Sequence, residues 1–225
     1  MKKIINVWIV KRDKKSYQHR YKNLLDQSEQ KKAASITSVP LRIRFIEVRA
    51  KLRWILASHL KVDAKTLRFS FAEHGKPFLP EHPDCHFNLS HSGDYLAIAV
   101  TEIGEVGIDI EQLKQKSDFY PLVKRCFAEV EQNYWLGLPE SQKCIEFYRF
   151  WTRKEAFVKA TGRGIGLGLN QCVVSPGDLG KMLKVPEICG PEKNWRIHDL
   201  DCPEGFSGAI AIQRADFKIR TKSFS

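Results

Sequence analysis

The sequence predicts an α+β fold of two similar halves, each a small, mainly antiparallel sheet packed with one long helix. Two observations carry that expectation. Residues 41–60 and 141–161 show helical periodicity, and each stretch is followed by short, strand-like segments. Among those segments, Tyr95-Leu96-Ala97-Ile98-Ala99-Val100 is matched by Ser207-Gly208-Ala209-Ile210-Ala211-Ile212, each after a helix, a glycine turn and shorter strands. A duplicated α+β unit of about half the chain accounts for this order, and chance similarity between apolar strands competes with it.

The elements follow in order. Met1-Lys2-Lys3 and the apolar stretch after it have the outline of a signal peptide. Asn6 interrupts the stretch, however, Lys11-Arg12-Asp13-Lys14-Lys15 follows, and no small-residue cleavage site is present. The segment reads as an opening β-strand of a cytoplasmic protein. In 41–60, Leu41, Phe45, Val48, Leu52, Ile55, Leu56 and Leu60 make one apolar stripe behind Pro40, which a helix start tolerates. Arg42, Arg49 and Arg53 fall on other faces, as a solvated basic surface. Leu67 to Phe71 alternates like a strand, Gly75-Lys76-Pro77 turns, and residues 95–100 and 106–111 have strand length. Helix 141–161 puts Cys144, Phe147, Trp151 and Val158 on one stripe. The glycine-rich run 162–168 closes it, and Cys172-Val173-Val174, Trp195-Arg196-Ile197 and residues 208–212 follow as strands.

Composition sets outer bounds. The chain has 225 residues, 43% hydrophobic and 28% charged, which excludes a disordered chain, a collagen-like fibre and a disulfide-stapled miniature. No stretch approaches the roughly 20 apolar residues of a membrane helix. Cys85, Cys126, Cys144, Cys172, Cys189 and Cys202 form no CxxC pair and read as reduced thiols. Lys and Arg outnumber Asp and Glu 37 to 26, and the resulting +11 favours an anionic partner. Nucleic acid, an acidic membrane surface, a phosphorylated small molecule and an acidic protein all satisfy that condition.

Three constellations carry possible chemistry. Asp109 and Glu111 stand at i and i+2 of a strand and share one face, with Ile108 and Ile110 on the other. Like charges so close need a cation or basic groups, unless the strand end is simply exposed. Glu155 on the second helix supplies a third carboxylate. Three carboxylates without His or Cys suit a hard, partly hydrated cation such as Mg²⁺. Lys159, four residues on, shares the face of Glu155, where an ordinary surface ion pair is the plainer explanation. Phe87-Asn88-Leu89-Ser90-His91-Ser92-Gly93 invites a hydrolase, but there is no GxSxG elbow, and Ser, His and loop amides beside Lys76 also make a phosphate cradle. Gly162 to Gly168 closes a helix rather than opening one, so it is a turn and not a dinucleotide-binding loop; no P-loop sequence is present.

Taken jointly, HGKPFLP (74–80), FNLSHSG (87–93), VGIDIEQ (106–112) and FWTRKEAFVKATGRGIG (150–166) resemble the 4′-phosphopantetheinyl transferase superfamily, in its long, surfactin-synthetase-activator type. The resemblance covers about residues 1–215. It implies two α+β halves, 1–104 and 105–225, with the active site at their interface. The first half carries the coenzyme A adenine and 3′-phosphate side; the second carries the Mg²⁺-binding acids and the catalytic helix. It further implies transfer of the phosphopantetheine arm of coenzyme A to a serine of an acidic carrier protein, releasing 3′,5′-ADP, by a cytoplasmic monomer that needs neither nucleic acid nor membrane. On the family pattern Asp109, Glu111 and Glu155 hold Mg²⁺, and Lys159 and Lys154 face the phosphates. Gly75, Lys76 and Pro77 line the adenine, and Ser90 and His91 meet the phosphates. Lys32 and Arg44 lie upstream near the 3′-phosphate, Glu29 replaces a further upstream lysine, and Glu131, or water on the metal, is the base for the carrier serine.

Overall fold

The computed structural model describes residues 3–12, 21–115, 118–177, 180–214 and 217–223. Along the chain come β1 (Ile4–Lys11), α1 (Gln27–Ser35), α2 (Val39–Leu60), β2 (Ser70–Phe71), β3 (Pro77–Phe78), β4 (His86–Ser92), β5 (Tyr95–Thr101) and β6 (Val106–Gln112). Then follow α3 (Tyr120–Cys126), α4 (Glu129–Leu136), α5 (Glu140–Thr161), β7 (Val173–Val174), β8 (Met182–Lys184), β9 (Arg196–Asp199), β10 (Phe206–Ile212) and β11 (Lys218–Lys222). The α+β expectation holds, with both long helices where the periodicity puts them. The segment 87–93 differs: it is not a loop but strand β4, whose Ser90 and His91 lie opposite Ala97 and Leu96 of β5. As the end strand in the order β11-β1-β5-β4, it pairs with β5 along one edge only within this sheet.

The chain divides into two compact units. One comprises Met1–Val10, Phe71–Phe78 and His82–Ser225; the other comprises Lys11–Ser70 with Leu79–Glu81. The first unit holds a four-stranded sheet in the order β11-β1-β5-β4 and a three-stranded sheet in the order β6-β10-β9. Pairing is antiparallel at β4–β5, β6–β10 and β9–β10 and parallel at β1–β11. The two sheets repeat one pattern: β1-β5-β4 and β6-β10-β9 each place an early strand beside the last of its group. Ile5, Val7, Ala97, Ala99, Val106, Ile108, Ile110, Ile210 and Ile212 join both sheets in one apolar cluster. A second cluster seats Phe147, Phe150, Ala156 and Phe157 of α5 against Ile197, Ala209 and Ala211.

Gly107 fixes how closely α5 approaches β6. A Cβ there would stand 2.0 Å from the carbonyl oxygen of Ala156 and 2.3 Å from the amide nitrogen of Ala160. Helix backbone thus rests directly on strand backbone, which only glycine permits. At its C-terminus α5 stops at Gly162, whose φ of 69° is the left-handed conformation expected of a glycine helix stop.

The second unit overturns the solvated basic face assigned to α2. Arg53 is fully buried and Arg49 nearly so. The Nε atoms of both donate to Glu29, each at 2.5 Å, and Arg53 also meets Asp26 and the carbonyl oxygens of Ala64 and Leu67. Glu29 additionally closes the capping box of α1 with Asp26. The guanidinium groups of Arg49 and Arg53 lie 4.3 and 5.1 Å from the Phe69 ring centroid. Glu29 therefore anchors two core arginines and is not a phosphate contact exchanged for an acid. All six cysteines are free, and Cys202 alone is not fully buried. Among the described residues, no helix is long and apolar enough to cross a membrane.

Candidate active site

Alternation along β4 creates the first part of the site. Asn88, Ser90 and Ser92 share one face of the strand, and each reaches β6. Asn88 accepts from the amide of Ile108 at 3.0 Å, Ser90 Oγ donates to Asp109 Oδ1 at 2.7 Å, and Ser92 Oγ donates to Glu111 Oε2 at 2.6 Å. The two serines of the SHS triplet thus orient the two carboxylates of the next strand. Ser92 belongs to the Ser-His-Ser triplet but is not among the site residues the sequence predicts; its signal is its place two residues after Ser90.

Helix α5 supplies the opposite wall. Lys159 Nζ lies 2.6 Å from Asp109 Oδ1 and 3.0 Å from Ser90 Oγ. Asp109 Oδ2 is buried and has no hydrogen-bond partner. Burial raises the pKa of Asp109 against the pull of Lys159. Burial raises Glu111 too, with Asp109 adding to it, and raises Glu155, with Asp109 and Glu111 adding to it. Glu111 on β6 and Glu155 on α5 therefore both feel the charge of Asp109.

A cavity of about 390 Å³ is lined by Leu89, Ser90, His91, Asp109, Glu111, Trp151, Glu155 and Lys159. A second, of about 290 Å³, shares Leu89, Glu155 and Lys159 with it and continues past His74, Gly75, Lys76, Pro77, Val158 and Gly162. One compartment is ionic and the other is walled by glycine, proline and aliphatic groups. Together they suit a ligand with a charged part and a flat apolar part.

Among the described residues, no three His, Cys, Asp or Glu stand tightly enough as placed to hold an ion. That is compatible with Mg²⁺, which keeps several waters and is held by one or two carboxylates plus substrate phosphates rather than by a finished protein cage. The all-oxygen donors and the orphaned Oδ2 of Asp109 fit such an ion.

Comparison with known proteins decides the family. The profile of the 4′-phosphopantetheinyl transferase superfamily matches residues 105–211. A putative 4′-phosphopantetheinyl transferase of Synechocystis is 35% identical over 179 residues, spanning 79% of this chain and 72% of the relative. The 4′-phosphopantetheinyl transferase HetI of Nostoc is 34% identical over 76% of this chain and 71% of its own. Sfp of Bacillus subtilis is 31% identical over 74% and 72%. The chain belongs to the 4′-phosphopantetheinyl transferase superfamily. It is a 4′-phosphopantetheinyl transferase, moving the phosphopantetheine arm of coenzyme A to carrier proteins.

Within this transferase the expected site residues fall into three groups. Gly75, Lys76, Pro77, Ser90, His91, Asp109, Glu111, Glu155 and Lys159 line the two joined compartments. Lys32 and Arg44 belong to the other compact unit, on α1 and α2. A cavity of about 710 Å³ in that unit is lined by Leu25, Ile43, Ile46, Lys22, Lys31 and Arg42 among others, and by neither Lys32 nor Arg44.

Lys154 and Glu131 form the third group, and the structure sets them away from the two compartments. Both are fully buried, and Lys154 Nζ lies 2.6 Å from Glu131 Oε2. Lys154 also donates to the carbonyl oxygens of Leu169 and Cys172. Glu131 accepts from the amides of Ala128 and Val174. Neither residue lines either compartment. Glu131 already carries an ion pair and two amide bonds. The pair instead ties the start of α4 and β7 to α5. Trp151, His74, Val158 and Gly162 line the cleft without having been singled out as site residues; their chemistry is that of ordinary core and turn residues.

Proposed function

We propose that this transferase acts on a serine of an apo carrier protein in an Mg²⁺-dependent reaction that releases 3′,5′-ADP. The buried, unpartnered Asp109 Oδ2 in a compartment shared with Glu111, Glu155 and Lys159 carries the proposal. Asp109, Glu111 and Glu155 would hold the ion, which when bound neutralises pyrophosphate charge. Lys159 sets its ammonium beside the same phosphates and favours the departing 3′,5′-ADP electrostatically. His91 faces the phosphates, Ser90 keeps Asp109 oriented, and Gly75, Lys76 and Pro77 border the nucleobase. Lys32 and Arg44 are proposed as further phosphate contacts on the family pattern alone. Most of the acceleration would come from positioning and charge neutralisation.

The partner we propose is an acidic carrier domain, attracted by the net +11 of a cytoplasmic, monomeric enzyme. The shared order β1-β5-β4 and β6-β10-β9 supports descent from a duplicated unit with its boundary between residues 104 and 105. Incubation with coenzyme A, Mg²⁺ and a panel of apo carrier proteins, read by intact mass, tests the function. Carriers should gain the phosphopantetheine mass only when both coenzyme A and Mg²⁺ are present. Absence of any gain across acyl, peptidyl and aminoadipate-reductase carriers would sink it.

A further inference from the structure

We propose that Glu105, braced by His86, is a positioning residue that holds Lys76 in the wall of the smaller compartment and thereby sets affinity for the adenine end of coenzyme A. The inference rests on the function proposed above. Lys76 Nζ is 3.1 Å from the carbonyl oxygen of Val106 at the start of β6 and 3.1 Å from that of Ala160 in the last turn of α5. Its third partner is Glu105 Oε2, and the other oxygen of Glu105 lies 2.9 Å from His86 Nδ1. One ammonium therefore joins hairpin, strand and helix at the point where they border the cavity.

Charge explains why Glu105 matters. The Lys76 side chain is only 12% exposed, so without Glu105 a buried cation would face two neutral carbonyls alone. The hydrogen bond from His86, followed by the charge of Lys76, holds Glu105 down at about 2, so it stays ionised to supply that charge. The hairpin closes on itself through Ala72 N to Lys76 O and Gly75 N to Ala72 O. The Lys76 side chain is what ties it to α5: its stem passes Gly162, where a Cβ would lie 3.5 Å from Lys76 Cδ. Glu105 itself lines neither compartment and acts through Lys76.

Glu105→Gln in the full chain tests this. Dissociation constants for coenzyme A and for 3′,5′-ADP should rise together by roughly tenfold or more, while binding of 4′-phosphopantetheine, which lacks the nucleotide, should not change. The KM for coenzyme A should rise while kcat and the KM for the carrier stay within about twofold. Lys76→Met in the Glu105→Gln background should add little, because both changes break one contact. His86→Asn should shift coenzyme A affinity the same way by less, and it carries the test if Glu105→Gln folds poorly. Unchanged coenzyme A affinity in Glu105→Gln, beside an unsubstituted protein that binds it, overturns this inference alone. A general loss, with the KM for both substrates rising and kcat falling together, makes Glu105 merely structural and overturns it too. Failure of the unsubstituted protein to bind coenzyme A overturns the proposed function as well.

Discussion

The carbonyl oxygen of Ala156 occupies the space in which Gly107 would carry a side chain, 2.0 Å from the ideal Cβ. Asp109 lies two residues beyond this contact on β6, and Glu155 and Lys159 flank it on α5. The distance between acids and lysine is therefore set by a glycine that touches no substrate. Gly107→Ala must lift the helix. It should cost about 1–3 kcal/mol from overpacking and reduce transfer by about a hundredfold through displacement of the site. Denaturant unfolding paired with carrier mass gain checks both. Wild-type transfer by the Gly107→Ala protein would show that the close approach has no functional role.

Glu131→Gln separates a structural acid from a base. Removing one partner of a fully buried ion pair leaves the other charge uncompensated, at a cost of about 3–5 kcal/mol. Glu131→Gln and Lys154→Met should each unfold far earlier in denaturant. The combined Glu131→Leu and Lys154→Met protein should recover much of that loss, since both charges then leave the core. A catalytic base would instead give a Glu131→Gln protein of native stability and negligible turnover.

The legible parts of the sequence were those with a period or a paired chemistry. Helices α2 and α5 declared themselves by 3.6-residue stripes, and Asp109 and Glu111 by strand alternation. The short helices α3 and α4 span 7 and 8 residues, too few turns for a stripe to stand out. Arg49 and Arg53 misled because position on a helix says nothing about partners. Glu29, the acid that makes their burial possible, is 20 and 24 residues away in sequence. Lys154 and Glu155 are neighbours in one motif, and only the fold sends the two side chains to different surroundings.

Glu29 yields its own test. As the acceptor for two buried guanidinium groups, Glu29→Gln should lose about 3–5 kcal/mol of stability, and Glu29→Ala at least as much. Neither should change the affinity of the remaining folded protein for coenzyme A. Thermal unfolding and calorimetric titration at a temperature well below the transition distinguish the effects. A selective loss of coenzyme A affinity at native stability would return Glu29 to the phosphate-binding surface.

With the proposed metal site, the acid cluster should make stability depend on pH and Mg²⁺ together. Asp109, Glu111 and Glu155 are raised above the usual carboxylate range, first by burial and, for Glu111 and Glu155, by the neighbouring carboxylates. For such groups the folded chain binds protons more tightly than the unfolded chain. Stability therefore falls as pH rises from the ordinary carboxylate pKa through the raised one, and the full penalty persists above it. A cation that binds the ionised acids offsets that penalty and stabilises the fold by mass action. Mg²⁺ added with coenzyme A should raise the melting temperature near neutral pH beyond the effect of coenzyme A alone. The increment should fade as the solution is acidified and protons compete, and it should vanish in Asp109→Asn. Chelation should abolish the increment and carrier modification together. A melting temperature indifferent to Mg²⁺ near neutral pH, in protein that does bind coenzyme A, would remove Asp109, Glu111 and Glu155 as the metal site.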